Sequence, residues 1–335
     1  MIPNHIAISP TELARFVSGH GLAHQAHGLL DQQKTTWEML RRGYDSLTQV
    51  RTRAFDFDGF QLKVQFNPGR LTSTAAKVDP KSIRERKCFL CGENLPALQR
   101  GIVYRASYVV LCNPFPIFPE HFTIAALEHT PQRIVDAFGT LLELTREMGE
   151  RYTVFYNGPR CGASAPDHLH FQAGDRSFVP IDAEYSSLTR SVQPFFASNG
   201  LRAYAIERCL RQFVSLESAH ADALSRAFGS LYEVLAADEP AAAEPLLNVL
   251  CFYEGGQWRV LCFPRVKHRP AFYFLEGEAQ LMFSPAAVEM GGICTTPREQ
   301  DFENVTRDQL VGMFAEVCVS PQRLAEITAR LTPKL

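Results

Sequence analysis

The segment from residue 157 to residue 172 constrains this chain most, because it ends in two histidines and a glutamine directly after a turn rich in small residues. It reads Asn-Gly-Pro-Arg-Cys-Gly-Ala-Ser-Ala-Pro-Asp-His-Leu-His-Phe-Gln. Side chains alternate in direction along an extended segment, so the pattern predicts that His168, His170 and Gln172 share one face. Leu169 and Phe171 would then enter the core. The backbone N–H groups of the preceding turn are suited to holding an anion.

These side chains are suited to phosphoryl chemistry. A neutral imidazole can attack phosphorus and form a covalent intermediate, which divides one difficult displacement into two easier ones. An amide on the same wall can donate a hydrogen bond to a phosphoryl oxygen or to the leaving oxygen. The alternatives are two unrelated histidines on a half-exposed strand, or a metal-binding pair, since imidazole is a common zinc ligand. Gly162, Ser164 and Pro166 are poor strand formers, and they favour the interpretation as an anion-binding turn.

A second motif, Cys88-Phe-Leu-Cys91, places two thiolates at the separation that tetrahedral zinc requires. A redox pair of this spacing normally opens a helix after a strand, whereas this one follows a charged run. The histidines available as further ligands are His121, His129, His168 and His170. If His170 keeps one nitrogen free as a nucleophile, His168 is the better ligand. Either His129 or His121 would then complete a closed structural site.

Composition excludes several classes of protein. With 335 residues, of which 46% are hydrophobic, the chain can bury a substantial core, and its net charge of −2 gives no electrostatic footprint for nucleic acid or an anionic membrane. No apolar run reaches the roughly 18 residues that a spanning helix needs, and the N-terminus lacks a secretory signal. The nine cysteines are scattered and fit reduced thiols. We therefore expect a cytoplasmic protein without nucleic-acid or membrane partners, and a homodimer remains possible.

The periodicity of apolar residues predicts alternating strands and helices. Two hairpins are expected around Asp58-Gly59 and Gly255-Gly256. Helical spacing extends over residues 131–150, 217–236, 306–317 and 320–331. A strand pair and a helix before residue 175 recur after residue 245. This recurrence indicates an α+β fold of two related halves, each with an antiparallel sheet and packed helices.

The clearest linker in the chain is the segment Asp238-Glu-Pro-Ala-Ala-Ala-Glu-Pro. It suggests a division into three parts. The expected parts are an N-terminal helical segment and first strand over residues 1–58, a catalytic half over residues 59–237, and a second half with C-terminal helices over residues 246–335.

Several stretches of the chain resemble the histidine-triad superfamily, in the transferase branch of galactose-1-phosphate uridylyltransferase, diadenosine tetraphosphate (Ap4A) phosphorylase and GDP-L-galactose phosphorylase. Residues 64–70 are similar to the segment that carries a substrate arginine, and residues 110–115 to a strand end that contacts the nucleoside. Residues 122–129 resemble a strand that ends in a zinc histidine. Residues 284–294 are similar to the closing segment of GDP-hexose phosphorylases. The resemblance covers roughly residues 60–317 and implies a histidine-triad-like fold.

The resemblance also implies roles for individual residues. His170 takes the place of the nucleophile, and Gln172 stands where smaller triad hydrolases carry a third histidine, a difference that accompanies transfer to an acceptor. His129 is favoured over His121 as a ligand. The structural zinc would be held by Cys88, Cys91, His129 and His168. The residues expected to contact substrate are Arg70, Lys77, Asn113, Phe115, Asn157, Gly158, Arg160, Gly162 and Ser164.

The chain departs from the family pattern at one position. Asp167 stands between Pro166 and His168, so Ser164 lies one residue farther from the histidines than in the uridylyltransferases and dinucleoside phosphorylases. The phosphate contact of Ser164 is therefore the weakest of the implied contacts.

The expected function is that of a nucleoside-diphosphate-hexose phosphorylase, which would convert a GDP-hexose and inorganic phosphate to hexose 1-phosphate and GDP through a nucleotidyl-histidine. A dinucleoside polyphosphate phosphorylase or a hexose-1-phosphate nucleotidylyltransferase would use the same residues. A non-catalytic, zinc-stabilised nucleotide-binding protein is the alternative of another class. Such a protein would be expected to lose the nucleophile or the glutamine, and both are present.

Overall fold

The computed structural model describes residues 6–70 and 79–335 and confirms the α+β fold. The strands are β1 (Arg51–Phe57), β2 (Phe60–Phe66), β3 (Gly101–Tyr104), β4 (Tyr108–Cys112), β5 (His121–Ala126), β6 (Tyr152–Asn157), β7 (His170–Asp175), β8 (Phe196–Ser198), β9 (Leu201–Ile206), β10 (Phe213–Ser218), β11 (Leu247–Glu254), β12 (Gln257–Pro264) and β13 (Ile293–Thr296). The α-helices are α1 (Pro10–Leu13), α2 (Leu22–Thr36), α3 (Glu38–Asp45), α4 (Pro80–Glu85), α5 (Phe138–Met148), α6 (Pro180–Arg190), α7 (Ala221–Ala236), α8 (Ala287–Met290), α9 (Glu299–Asn304), α10 (Arg307–Val317) and α11 (Pro321–Leu331).

Ten strands form one antiparallel sheet in the order β3-β4-β5-β7-β6-β11-β12-β10-β9-β8. Its two halves have the same connectivity. Along the chain, each half has three strands, then a helix, then two paired strands, and the first strand of that pair lies at the centre of the sheet. Helix α5 connects β5 to β6, and α7 connects β10 to β11. The halves join where β6 pairs with β11, with Asn157 opposite Asn248. The two related halves predicted from the sequence are therefore present.

The sheet order places β8, β9 and β10 with the later strands. A division near residue 190 fits this order better than the predicted boundary between residues 237 and 246, which falls between α7 and β11. The predicted boundary between residues 58 and 59 falls inside a hairpin, because β1 and β2 pair on either side of it. In addition, β13 pairs in parallel with β2. This small sheet connects the N-terminal and C-terminal regions of the chain.

Two predicted helices are shorter than expected. The helix predicted over residues 131–150 is an α-helix only from Phe138 to Met148, because the Ile134 N–H donates to the Glu244 carboxylate and the residues before Phe138 are held outside the helix. The helix predicted from residue 217 begins at Ala221, because residues 213–218 form a strand that is paired on both sides.

Apolar layers cover both faces of the large sheet. One face packs against α2, α5, α7 and α11, with Leu141 and Leu224 fully buried. The other packs against the small sheet, α6 and α10, with Phe252 and Phe314 fully buried. Among the described helices, none combines the length and apolar character needed to cross a membrane.

The long loop between β6 and β7 has no counterpart in the second half. Residues 158–169 connect β6 to β7, whereas the equivalent strands β11 and β12 are joined by a tight turn at Gly255 and Gly256. The histidine pair and its turn therefore occur only in the first half. The second half contributes to the site in another way, through residues that hold or cover this loop.

Candidate active site

His170 is the first residue of β7 and lies almost completely buried, at 3% exposure, in the wall of a cavity. Its Nδ1 atom lies 2.8 Å from the His168 carbonyl oxygen. A carbonyl can only accept, so Nδ1 carries the hydrogen and Nε2 keeps its lone pair. Burial is the main cause that lowers the pKa of His170 to about 4, which leaves the ring neutral at pH 7. These are the properties that a nitrogen nucleophile requires.

Gln132 holds the backbone around this histidine. Its side-chain oxygen accepts from the His170 N–H at 2.8 Å, and its amide group donates to the His170 and Asn157 carbonyls at 3.0 and 2.9 Å. The side chain thereby fixes the end of β6 against the start of β7. Sequence analysis missed this residue, because a single glutamine in a loop has no recognisable pattern.

Gln172 faces the same cavity and is oriented by His121. The Ile117 N–H lies 3.3 Å from Nδ1 of His121, so this nitrogen accepts and Nε2 carries the hydrogen. Nε2 then donates to the Gln172 side-chain oxygen at 2.9 Å. The Gln172 NH₂ group is left directed away from His121, as a donor toward the cavity. Burial, followed by the charge of Arg70, lowers the pKa of His121 to about 3 and keeps this ring neutral.

The predicted zinc ligands lie together, and His129 rather than His121 completes the group. The donor atoms of Cys88, Cys91, His129 and His168 all lie within 4.8 Å of one another. Nδ1 of His168 is 3.3 Å from the Cys88 sulfur, and Nδ1 of His129 is 3.1 Å from the Cys91 sulfur. His168 uses its other nitrogen to donate to the Ala126 carbonyl at 2.7 Å, which is typical of a histidine that binds a metal. Two sulfurs and two nitrogens at these distances could hold one tetrahedral ion.

Asp167, the residue that departs from the family pattern, connects the cysteine segment to the histidine loop. Its carboxylate forms an ion pair with Arg86, two residues before Cys88. The same carboxylate lies 3.9 Å from Nε2 of His129. It therefore supports the outer side of the cysteine and histidine cluster.

Residues of the second half position the loop that follows β6. The Asn157 side-chain oxygen accepts from Asn248 at 3.0 Å and from the Ala287 N–H at 2.8 Å. Asn248 in turn accepts from Arg265 at 2.6 Å. Gly162 has a φ of +97°, and a Cβ atom there would lie 2.5 Å from Cβ of Ala286. The loop is thus packed tightly against the segment that begins α8.

The cavity between these elements has a volume of about 450 Å³. His170 and Gln172 share its lining with apolar side chains, which include Met39, Phe89 and Leu95. The second half contributes a polar wall. Its members are His268, Arg269, Ser284, Glu289 and Thr295.

Most of the residues predicted to contact substrate line this cavity. They are Arg70, Asn113, Phe115, Asn157, Gly162 and Ser164. Arg70 donates to the Phe115 carbonyl at 2.8 Å and its buried Nε has no hydrogen-bond partner among the described residues. Burial lowers the pKa of Arg70 to about 10, and the group remains charged at pH 7.

Two predicted contacts lie outside the cavity lining, and a third falls on residues that the structure does not describe. Arg160 lies outside the cavity lining, because its guanidinium pairs with Glu239 and donates to the Glu244 carbonyl at 3.1 Å. Gly158 also lies outside the lining. There is no room for a side chain at that position, since a Cβ atom would lie 2.7 Å from the Leu247 carbonyl oxygen. Lys77 falls outside the described residues.

Two family models match the chain in succession. Residues 29–175 match a domain of unknown function, DUF4922, and residues 190–334 match the GDPGP1-like, C-terminal domain. The interval between the two matches coincides with the division of the ten-stranded sheet. In Saccharomyces cerevisiae, diadenosine 5',5'''-P1,P4-tetraphosphate phosphorylase 2 is 35% identical over 89 residues, which cover 22% of this chain and 27% of that protein.

Solved structures show a similar fold. Yeast Ap4A phosphorylase Apa2 in complex with Ap4A matches with a TM-score of 0.54 and 17% identity, over 84% of this chain and 97% of that chain. The chain shares its fold with yeast Ap4A phosphorylase Apa2, and its second half matches the GDPGP1-like, C-terminal domain. The Apa2 complex with AMP matches with a TM-score of 0.52 and 19% identity, over 85% of this chain and 94% of that chain. The histidine-triad-like fold expected from the sequence is therefore confirmed.

Proposed function

We propose that this chain is a nucleoside-diphosphate-hexose phosphorylase that acts through a nucleotidyl-histidine, with a GDP-hexose as the expected substrate. The observation that carries the proposal is the state of His170, whose Nδ1 hydrogen is held by the His168 carbonyl while Nε2 is available in the cavity wall. A fixed, neutral imidazole beside an oriented amide is suited to attack at phosphorus.

In the first step Nε2 of His170 attacks the α-phosphorus. The P–N bond forms as the bond from phosphorus to the bridging oxygen breaks, and hexose 1-phosphate leaves with the electron pair. The Nδ1 hydrogen stays on the ring, where the His168 carbonyl stabilises the positive charge that develops. In the second step an oxygen of inorganic phosphate attacks the same phosphorus. The P–N bond breaks, the lone pair returns to Nε2, and the nucleoside diphosphate is released.

Other residues of the cavity wall would stabilise charge on the α-phosphoryl group. The Gln172 NH₂ group, oriented by His121, would donate to one of its oxygens. Arg70 lies close enough to His121 to lower the pKa of that ring, which places its charge near Gln172. The N–H groups around Gly162 and Ser164 would face the same group. The α-phosphate would thus meet an amide, a guanidinium and backbone donors.

Glu289 favours a hexose over a longer polyphosphate beside this centre. The side chain is 6% exposed, lines the cavity, and accepts from the Ala286 N–H at 2.8 Å. Burial raises its pKa to about 7. Next to it, the Thr295 hydroxyl is buried without a hydrogen-bond partner among the described residues. A carboxyl and a hydroxyl can pair with sugar hydroxyls, whereas a carboxylate repels additional phosphates.

The second candidate function is Ap4A phosphorylase. It is supported by the fold shared with yeast Apa2 and by the 89-residue match to a yeast tetraphosphate phosphorylase. Both reactions use the same nucleophile and acceptor, so the distinction lies in the leaving group.

We further propose that the Cys88, Cys91, His129 and His168 group holds one structural zinc ion. Thiolate and imidazole ligands without an open position are typical of structural zinc. The ion would fix the loop that carries His168 and would supply no part of the reaction. None of the nine cysteines forms a disulfide, which is consistent with a reducing compartment such as the cytoplasm.

Product analysis tests the proposal. Purified protein is incubated with GDP-, ADP- and UDP-hexoses and with Ap4A, each with and without inorganic phosphate. We expect phosphate-dependent formation of hexose 1-phosphate and the nucleoside diphosphate. In a Glu289→Ala variant, turnover of the nucleotide sugar should fall more than turnover of any accepted Ap4A. Faster use of Ap4A than of every nucleotide sugar would support the second candidate instead.

A further inference from the structure

The segment before α5 does not adopt the helix that its sequence favours. Thr130 followed by Pro131 is a common start of an α-helix, because threonine caps the first turn and proline fits its first position. The α-helix nevertheless begins at Phe138, and residues 135–137 form only a 3₁₀ turn. Contacts with other parts of the chain must therefore hold residues 130–134 in another conformation.

Two hydrogen bonds replace the first bond of such a helix. That bond would join the Ile134 N–H to the Thr130 carbonyl, four residues earlier. In the structure the Thr130 carbonyl accepts from the Leu169 N–H at 2.7 Å, in the loop that carries the histidines. The Ile134 N–H instead donates to Oε2 of Glu244 at 2.7 Å. Both partners of the helical bond are thus used to connect this segment to distant parts of the chain.

Gln132 lies between these two contacts. Its backbone N–H donates to the Pro166 carbonyl at 3.2 Å, and its side chain bonds to the N–H and carbonyl of His170 and to the Asn157 carbonyl. A helix that began at residue 131 would take the Thr130 carbonyl from the histidine loop and would turn Gln132 with it. The bonds from Gln132 to the two strand ends therefore depend on the irregular backbone.

Glu244 belongs to the segment that the sequence identified as a linker, residues 238–245. Its side chain is 2% exposed and lies outside the cavity lining. Oε1 accepts from the Tyr156 hydroxyl at 2.7 Å, and the Glu244 carbonyl accepts from Arg160 at 3.1 Å. Burial raises the pKa of Glu244 to about 7, against the effect of the bonds from Tyr156 and Ile134. An acidic residue of a linker is normally exposed, and burying one is costly unless it has specific partners.

We propose that Glu244 is a positioning residue for His170. It keeps residues 130–134 out of α5, which holds Gln132 against the start of β7 and thereby fixes the backbone of the nucleophile. The segment that joins the two halves would thus control the geometry of a site whose nucleophile lies in the first half. The effect on turnover rests on the proposed phosphorylase function, whereas the effect on the His170 backbone does not.

Amide hydrogen exchange tests the role without turnover. The acceptor of the His170 N–H is the Gln132 side-chain oxygen. In Glu244→Leu, exchange of this N–H should accelerate roughly tenfold, the scale of one lost hydrogen bond. Glu244→Gln should restore most of the protection, because its amide oxygen can accept from the Ile134 N–H while its NH₂ group donates to the Tyr156 hydroxyl oxygen.

The matched control is Glu217→Leu. Glu217 is 6% exposed and also accepts from a tyrosine, with the Tyr185 hydroxyl at 2.7 Å, but it lies in β10 of the second half. Its replacement should lower the melting temperature and leave both kcat and the exchange of the His170 N–H within about twofold of wild type.

Steady-state phosphorolysis gives the second measurement. In Glu244→Leu we expect kcat to fall roughly ten- to hundredfold, the range for displacing a reacting group by up to about 1 Å. The affinity for GDP, measured by calorimetry, should change less than about twofold, because Glu244 lies outside the cavity lining. If Glu244 acts through Gln132, the double variant Glu244→Leu, Gln132→Ala should be no slower than Gln132→Ala alone.

Glu244→Asp serves if the leucine variant does not fold, because the shorter side chain cannot reach both Ile134 and Tyr156 and should also accelerate the exchange. Unchanged exchange of the His170 N–H in a folded variant would overturn the role, as would multiplicative losses of kcat in the double variant. Accelerated exchange in a protein that shows no phosphorolysis as wild type would support the positioning role and contradict the proposed function.

Discussion

Replacing His121 with leucine should reduce catalysis through Gln172 alone. His121 is completely buried and its Nε2–H donates to the Gln172 side-chain oxygen at 2.9 Å. Leucine has a similar size but no donor, so the amide of Gln172 would be free to rotate. A hydrogen bond of this kind contributes about 1 kcal/mol, which corresponds to about a fivefold decrease in kcat.

The decrease in kcat that follows removal of the Gln172 side chain sets the upper limit for the decrease in His121→Leu. Removing a donor to a developing negative charge costs about 10²- to 10³-fold in kcat, so Gln172→Ala should show a decrease in that range. If His121 acts only by orienting Gln172, the double variant His121→Leu, Gln172→Ala should be no slower than Gln172→Ala alone. His121→Gln keeps an amide donor near the position of Nε2 and should recover part of the loss.

The assay is steady-state phosphorolysis with all four variants, together with thermal unfolding. His121→Leu also leaves the Ile117 N–H without its acceptor, which should decrease the free energy of unfolding by roughly 1–3 kcal/mol. Independent, multiplicative losses of kcat in the double variant would refute the reasoning, because they would show that His121 acts on the substrate by another route.

Three further predictions concern metal, acceptor and pH. Metal analysis should find about one zinc per chain. Cys88→Ser should lower the melting temperature and the zinc content before it alters the kcat of the remaining folded enzyme. Metal-free wild-type protein with the same melting temperature would contradict the site. Gln172→His should increase the fraction of nucleoside monophosphate formed without phosphate, because altered positioning of the phosphoryl oxygens admits water. Product chromatography measures this fraction. An unchanged product ratio would argue against a role of Gln172 in the choice of acceptor. The free energy of unfolding should decrease as the pH falls below about 6.5, because His121 becomes protonated in the unfolded chain but stays neutral in the folded protein. This histidine alone contributes a decrease of up to about 1.4 kcal/mol per pH unit. His121→Gln should show a shallower decrease in denaturant titrations at pH 6.5 and 5.5.

Local patterns predicted the fold well, and they singled out several residues that the structure places around one cavity. Alternation of apolar residues identified the hairpin around Gly59 and the strands that carry the histidines, because burial of one face of a strand is visible in a short window of sequence. The cysteine pair and the family resemblance brought His129 and His168 to one cluster, which the structure also brings together.

Contacts between distant parts of the chain could not be predicted in this way. Gln132 and Arg265 act only because folding brings them to β7 and to Asn248, and no spacing rule connects such positions. Arg160 was expected at the phosphate because it is a cation next to the turn, yet Glu239 and the Glu244 carbonyl attract it elsewhere. One signal was available: Asn248 is a polar residue within an apolar strand, and a buried polar side chain requires a partner.

The most direct test of the central claim is detection of the covalent intermediate on His170. Wild-type protein is mixed with the preferred nucleotide sugar in the absence of phosphate, and its intact mass is measured, followed by peptide mapping. We expect the mass to increase by one nucleotidyl group on His170, with release of an equal amount of hexose 1-phosphate. The adduct should disappear when phosphate is added. It should be absent in a folded His170→Asn variant. Phosphate-dependent turnover without an adduct, or an adduct on another residue, would contradict the account.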